Sequence, residues 1–202
     1  VTRIYLNAQF SDGHNRPHLL SVGMVSELGE FYRIVDDADA VNHALKNEWI
    51  REHVLQRLPL EVEGREWHWT PEDRESRSDV RDPRIATGLE LIDDLIDFVD
   101  SHPEPELWGW QSAYAYTLIR RLFGKITDRP ANFPLWCGEL AAKWSQAGRP
   151  ELPERGAGGH HALEMARWAR DVDAYIDRID PVEVAALKND TVREAIIAAK
   201  PQ

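Results

Sequence analysis

The first thirty-five residues constrain this chain most. Ile4 to Gln9 reads as a strand, apolar at Ile4, Tyr5 and Leu6 and polar at its end. Ser11-Asp12-Gly13 is a turn signal, because Asp and Gly tolerate the backbone angles of a tight reversal. Leu19 to Val25 is a second, apolar strand; Leu28-Gly29-Glu30 reads as a tight hairpin, and Phe31 to Val35 as a third strand. A chain that opens this way starts with consecutive strands of one sheet, and the remainder must cover it.

The remainder is mostly helical in pattern. Ala44 to Leu58 predicts a helix with Leu45, Trp49, Val54 and Leu58 as its apolar set, ended by Pro59. Thr87 to Ser101 predicts an amphipathic helix through Leu89, Ile92, Ile96 and Val99, stopped by Pro103 and Pro105. A short strand follows over Leu107 to Gln111, then helices over Tyr114 to Phe123, Leu135 to Ala147 and His160 to Ile179. Pro181 is suited to the first turn of a last helix reaching about Ala199. Hairpin strands followed by helices alternating with further strands predict a mixed α/β domain over residues 1–180, with a C-terminal helical extension over 181–202. Residues 60–86 differ in composition: Glu, Arg, Asp and Ser dominate around Trp67 and Trp69, the pattern of a charged surface insertion.

The formal net charge of −11 bears on partners. A protein that holds phosphates through Lys and Arg usually carries a basic face, and no basic block is present here. Metal-dependent nucleases are an exception, since bound cations invert the local charge. The single cysteine, Cys137, lies in an apolar stretch and has no internal disulfide partner, which suits a buried thiol in a reducing cytoplasm. No run of 18 apolar residues predicts a membrane span, and the first residues lack a signal-peptide pattern. There is no Gly-rich phosphate loop and no zinc-type cysteine cluster.

Three segments carry a resemblance: Ile4-Tyr5-Leu6-Asn7-Ala8-Gln9-Phe10, Leu107-Trp108-Gly109-Trp110-Gln111-Ser112-Ala113-Tyr114-Ala115, and His160-His161-Ala162-Leu163-Glu164-Met165-Ala166. In order and setting they resemble the motifs of DEDD-type 3′–5′ exonucleases of ribonuclease H-like fold, closest to the small bacterial exoribonuclease group. The resemblance runs from about residue 3 to 180. It implies a mixed sheet of about five strands flanked by helices. In the family, four carboxylates hold two divalent cations roughly 4 Å apart, and a histidine activates the attacking water. At the four acid positions stand Asn7, Gln9, Ala115 and Met165; the histidine position is His160.

Amides keep shape and hydrogen bonding without charge. Alanine offers no ligand atom, and a thioether suits soft metals rather than magnesium. The resemblance therefore implies the fold without the hydrolysis, and no metal or other cofactor. Asp12, Glu164 and His161 are the neighbours from which a site would have to be rebuilt, but Glu164 is rotated by about 100° from the acid position on its helix. Three uses of such a fold remain open: a regulatory or decoy protein-interaction role, metal-free binding of single-stranded RNA or DNA, and an active exoribonuclease with a rebuilt site. The family often assembles as dimers, so a homodimer, or a pair with an active homologue, is also expected from the resemblance. Candidate binding residues are Trp67, Trp69, Trp110, Tyr114, His160 and His161, aromatic groups of the kind that anchor partners or stack bases.

Overall fold

The computed structural model describes residues 1–12, 17–64, 66–70, 82–156 and 159–179. A six-stranded sheet is its centre. Strand β1 (Thr2–Ser11) pairs antiparallel with β2 (His18–Val25), which pairs antiparallel with β3 (Glu30–Val35). On the outer side of β3 lies the two-residue strand β6 (Ile85–Ala86). On the outer side of β1 lie β7 (Pro105–Gly109) and β8 (Cys137–Glu139), both running parallel to it. Helices flank this sheet, which is the ribonuclease H-like architecture expected from the motifs.

The strand alternation splits the interior in two. Ile4, Leu6 and Ala8 of β1 pack with Leu91, Leu95 and Val99 of α3 (Gly88–Asp100) and with Leu118 and Ile119 of α4 (Ser112–Leu122). Helix α3 opens with a capping box between Thr87 and Glu90, in which two backbone donors at the helix start are satisfied reciprocally. Its buried seam is Leu91, Leu95 and Val99, whereas Leu89, expected inside, is exposed. At its far end the buried His102 accepts the Ser26 hydroxyl proton at Nε2 over 2.7 Å, because its Nδ1 already faces the Phe98 carbonyl at 2.6 Å. That contact ties the β2–β3 turn to α3.

The opposite face belongs to α6 (Ala162–Ile176), which lies on β1 and β2. Tyr5 packs there with Ala169 and with Leu140 of α5 (Leu140–Gln146). The buried Asp173 of α6 accepts from Arg3 at 2.7 Å, the Tyr5 hydroxyl at 2.6 Å and Lys143 at 2.5 Å. Asp177 completes the cluster with Arg3 and Lys143.

Three expectations need correction. The helix expected over Ala44 to Leu58 is two short helices, α1 (Ala38–Ala44) and α2 (Glu48–His53), with a 3₁₀ turn over Leu55–Arg57. Asp37 and Asn47 each turn a side-chain oxygen onto free N–H groups, and each such cap starts a helix of its own. The segment from Leu135 is not helical at first: Cys137–Glu139 joins the sheet beside β7, and the helix begins at Leu140. Finally, the segment over residues 60–86, expected as a charged surface insertion, carries strands in its described parts. Strands β4 (Leu60–Glu63) and β5 (Glu66–Trp69) form a separate hairpin, and Ile85–Ala86 enters the main sheet. The centre of that segment and the extension at 181–202 lie outside the described residues. Among the described residues, no helix is long and apolar enough to cross a membrane.

Candidate functional site

Asn7 and Gln9 follow Tyr5 at two-residue spacing on β1, so all three share the face that α6 covers. Asn7 is paired across the ladder with Gly23, and Gln9 with Ser21. A Cβ placed on Gly23 would lie 2.4 Å from the backbone of Ala162 and Leu163. Only glycine lets the start of α6 approach the sheet so closely, and that approach sets the third motif beside Asn7. The Gln9 amide donates to Asn7 Oδ1 over 3.0 Å, so the two side chains are bonded to each other. A bulge after Gln9 ends the regular register and re-aims the strand.

Ala115 is buried in the first turns of α4, in the cluster that also holds Leu6 and Ala8. The chain enters that helix through Gln111 in the left-handed region (φ 50°). Glu139 holds this entry. Its carboxylate accepts from the N–H groups of Gln111 and Ser112, each at 2.8 Å, and from Ala141 at 3.0 Å. A carboxylate at a helix start is favoured both by the unpaired N–H groups and by the helix dipole. Tyr114, one residue before Ala115, is 67% exposed and stacks on Phe10 with centroids 5.8 Å apart.

Met165 is buried beside Trp168 and Val172, with Trp110 and Trp144 packed against them. Glu164 points elsewhere: it pairs with Arg167, which also holds Glu30. Asp12 is exposed. His160 and His161 precede α6 and part company. His160 meets Trp49 edge-on at 4.8 Å and His53 at 5.5 Å. Burial and then the charges of His53, Arg57 and Arg155 hold its pKa below the usual imidazole value. His161 lies over Tyr32, centroids 4.3 Å apart. Its pKa is also lowered, by burial first and then by Arg57, Arg84 and Arg167, against the opposing pull of Glu164. Among the described residues its buried Nδ1 has no hydrogen-bond partner, and the buried hydroxyls of Ser21 and Tyr32 lie nearby. Three buried polar groups along one stretch make this part of the α6 face polar.

The sequence motifs therefore converge in part. Asn7 and Gln9 are bonded to each other, the start of α6 packs on Gly23, which is the ladder partner of Asn7, Tyr114 joins the end of β1 through Phe10, and Trp110 packs against the cluster that holds Met165. Trp67 and Trp69 sit on the hairpin, edge-to-face at 5.4 Å, and donate their indole N–H groups to Asn42 and Asp36. Cys137 is half-buried, and burial pushes its thiol pKa up to about 12, which leaves it protonated and unreactive at neutral pH.

Two curated proteins align with most of this chain. Both are 3′–5′ exoribonucleases of Mycobacterium tuberculosis, from strains H37Rv and CDC 1551 / Oshkosh. Each is 31% identical over 167 residues, covering 82% of this chain and 87% of the relative. The chain belongs to the 3′–5′ exoribonuclease family. No family model matches it. Membership agrees with the motif order, the six-stranded sheet and the placement of the third motif against β1 and β2.

Set against this family's motifs, several residues of the neighbourhood escape a sequence reading. Ser21 and Tyr32 look like ordinary strand residues, and only the ladder places them beside Gln9 and Gly23. Glu139 carries no motif signal; its role depends on β8 running next to β7. Trp49 reads as a core residue of a long helix, yet it is 51% exposed and its ring lies parallel to His53 at 4.9 Å. Its single detectable signal is Asn47, a capping residue two positions earlier.

Proposed function

We propose that this chain is a catalytically degraded member of the 3′–5′ exoribonuclease family, a binding or regulatory protein that does not hydrolyse. The observation that carries this reading is the hydrogen bond between the Gln9 and Asn7 amides. Where a nuclease of this kind needs anionic oxygens aimed at a cation, the end of β1 presents two neutral groups bonded to each other. Hard divalent cations require oxygen ligands with enough negative charge to offset the repulsion between two ions. Ala115 and Met165 are buried in apolar clusters and supply none. The nearby carboxylates are committed elsewhere: Glu164 to Arg167, and Glu139 to the starts of α4 and α5. These residues do not fit a metal pair, and we derive no step through one. His160, depressed in pKa, is available as a neutral base, but a base alone does not stabilise the charge that develops on a phosphoryl group.

The test is a nuclease assay on end-labelled single-stranded RNA with Mg²⁺ or Mn²⁺, beside a calorimetric titration of the same metals. No shortening of the RNA and no metal-binding heat are expected. Cleavage that disappears in His160→Ala would mean a site rebuilt from other residues and would end this reading.

A further inference from the structure

We infer that Trp110, Trp144 and Trp168 form a recognition surface for an extended proline-rich segment of another protein, filled in this structure by the chain's own Pro150-Glu151-Leu152-Pro153. The inference goes beyond the non-hydrolytic reading and does not depend on it, since neither metal nor RNA takes part.

The segment leaves α5 through two successive residues in the left-handed region, Gly148 (φ 81°) and Arg149 (φ 57°). The second is uncommon for a residue with a side chain. Residues 150–156 form neither helix nor strand. Their burial follows a repeat of three: Pro150 is buried and Pro153 half-buried, whereas Glu151 and Glu154 are exposed. A polyproline II helix has this period, with roughly three residues per turn and carbonyls left unpaired by its own backbone. Two such carbonyls, one turn apart, are taken by indoles. Trp144 Nε1 donates to the Pro150 oxygen over 2.7 Å, and Trp168 Nε1 to the Pro153 oxygen over 3.0 Å. Leu152 packs into the same cluster. Trp110 braces both donors, its ring 5.7 Å from Trp144 and 5.3 Å from Trp168 between centroids. Arg149 lies over Trp144 at 5.8 Å and Arg155 over Trp168 at 4.6 Å, a cation at each end.

Indoles placed in this way read a backbone shape rather than one sequence. Proline fixes φ at about −65° and arrives already extended, and the two donors address carbonyls that every extended proline-rich segment carries at the same spacing. A helix offers no such pair, because its carbonyls are bonded internally. The present occupant is held by side chains. Among the described residues, none of 150–156 makes a backbone–backbone hydrogen bond. Glu151, Glu154, Arg155 and Gly156 are exposed along its outer edge. A segment fastened by two indole donors and bounded by Gly148 and Gly156 opens locally more readily than a strand of the sheet, and its departure uncovers both donors. A partner therefore enters in exchange for it.

The experiment adds a dye-labelled peptide with the sequence of residues 148–156 to the full chain and reads fluorescence anisotropy. In the native chain the tethered segment competes at an effective concentration of about 1 mM or more, so binding should be weak. Pro150→Gly with Pro153→Gly loosens the tethered copy and should tighten peptide binding about tenfold, the gain from weakening one competitor. Trp168→Phe added to that pair keeps a ring and loses the donor, and should weaken the peptide about fivefold, the loss of one hydrogen bond. A peptide with glycine at both proline positions should not bind. Peptide binding no tighter in the double variant than in the native chain, or equal binding of the glycine peptide, would overturn the inference. Thermal melts check that each variant is folded. If the double variant unfolds, the indole N–H signals of the native chain in NMR decide: those assigned through Trp144→Phe and Trp168→Phe should shift at millimolar peptide, and signals that stay in place would overturn it. Size-exclusion chromatography completes the test. A native dimer dissolved by the peptide would make the occupant the same segment of a second copy and overturn the assignment to another protein; a monomer throughout agrees with it.

Discussion

The two ends of β1 meet the same helix with opposite chemistry. At its start, Arg3 and Tyr5 converge with Lys143 on Asp173, a fully buried carboxylate of α6. At its finish, Asn7 and Gln9 present neutral amides to the beginning of that helix and bond to each other. A buried anion is tolerable where the protein supplies its cations. At Asp173 it does so twice, and Asp177 balances the excess. Among the described residues, the hydrogen bond at Asn7 and Gln9 joins two neutral amides and involves no cation. On the reading proposed here, a chain that does not hydrolyse keeps charge only where its own side chains neutralise it.

Removing Asp173 should have the largest effect. Asp173→Ala leaves Arg3 and Lys143 with Asp177 alone. The expected loss is about 3 kcal/mol, at the low end for a broken buried pair because both cations are partly exposed. Asn7→Ala, which removes one neutral hydrogen bond, should cost about 1 kcal/mol or less. Urea unfolding of both variants measures the contrast, and equal losses would break it.

Charging the other end comes next. Asn7→Asp with Gln9→Glu should lower the melting temperature in EDTA, through repulsion between neighbouring anions. Mn²⁺ should then restore about 1.4 kcal/mol once it exceeds its Kd tenfold. The native chain's melting temperature should not respond to Mn²⁺. A native chain stabilised as strongly as the variant would show that this end already holds cations.

The smallest effect concerns pH. Burial, together with Arg57, Arg84 and Arg167, holds the His161 pKa below its unfolded value, which is near 6.5. The unfolded chain therefore binds this proton first as pH falls. Stability is complete above about 6.5, declines as pH drops below it, and stops declining once pH passes below the folded pKa. His161→Leu should flatten the difference in urea midpoint between pH 7.5 and pH 5. Parallel slopes in the two proteins would assign the pH dependence to other groups.

Much of the frame was legible locally. Strands β1, β2 and β3 begin and end within two residues of where apolar runs and turn residues place them, because alternation and hairpin chemistry are properties of adjacent residues. Helix α3 is equally plain, but its phase is not. Leu89, Ile92 and Ile96 have helical spacing as well as Leu91, Leu95 and Val99, and the sheet beneath decides which row is buried. The three-residue strand β8 is shorter than any pattern that would announce it, and pairing with β7 alone makes it a strand.

The candidate site divides in the same way. That Asn, Gln, Ala and Met occupy the positions of interest, and that none bears a charge, is a property of side-chain chemistry readable from the sequence itself. That Glu139 secures the entry to α4, and that Trp49 faces outward against His53 and His160, was decided by tertiary structure. The physical reason is range: an amide or a carboxylate carries its chemistry wherever the chain places it, whereas Glu139 meets Gln111 only once β8 lies beside β7, and Trp49 meets His160 only once the start of α6 has closed on the sheet.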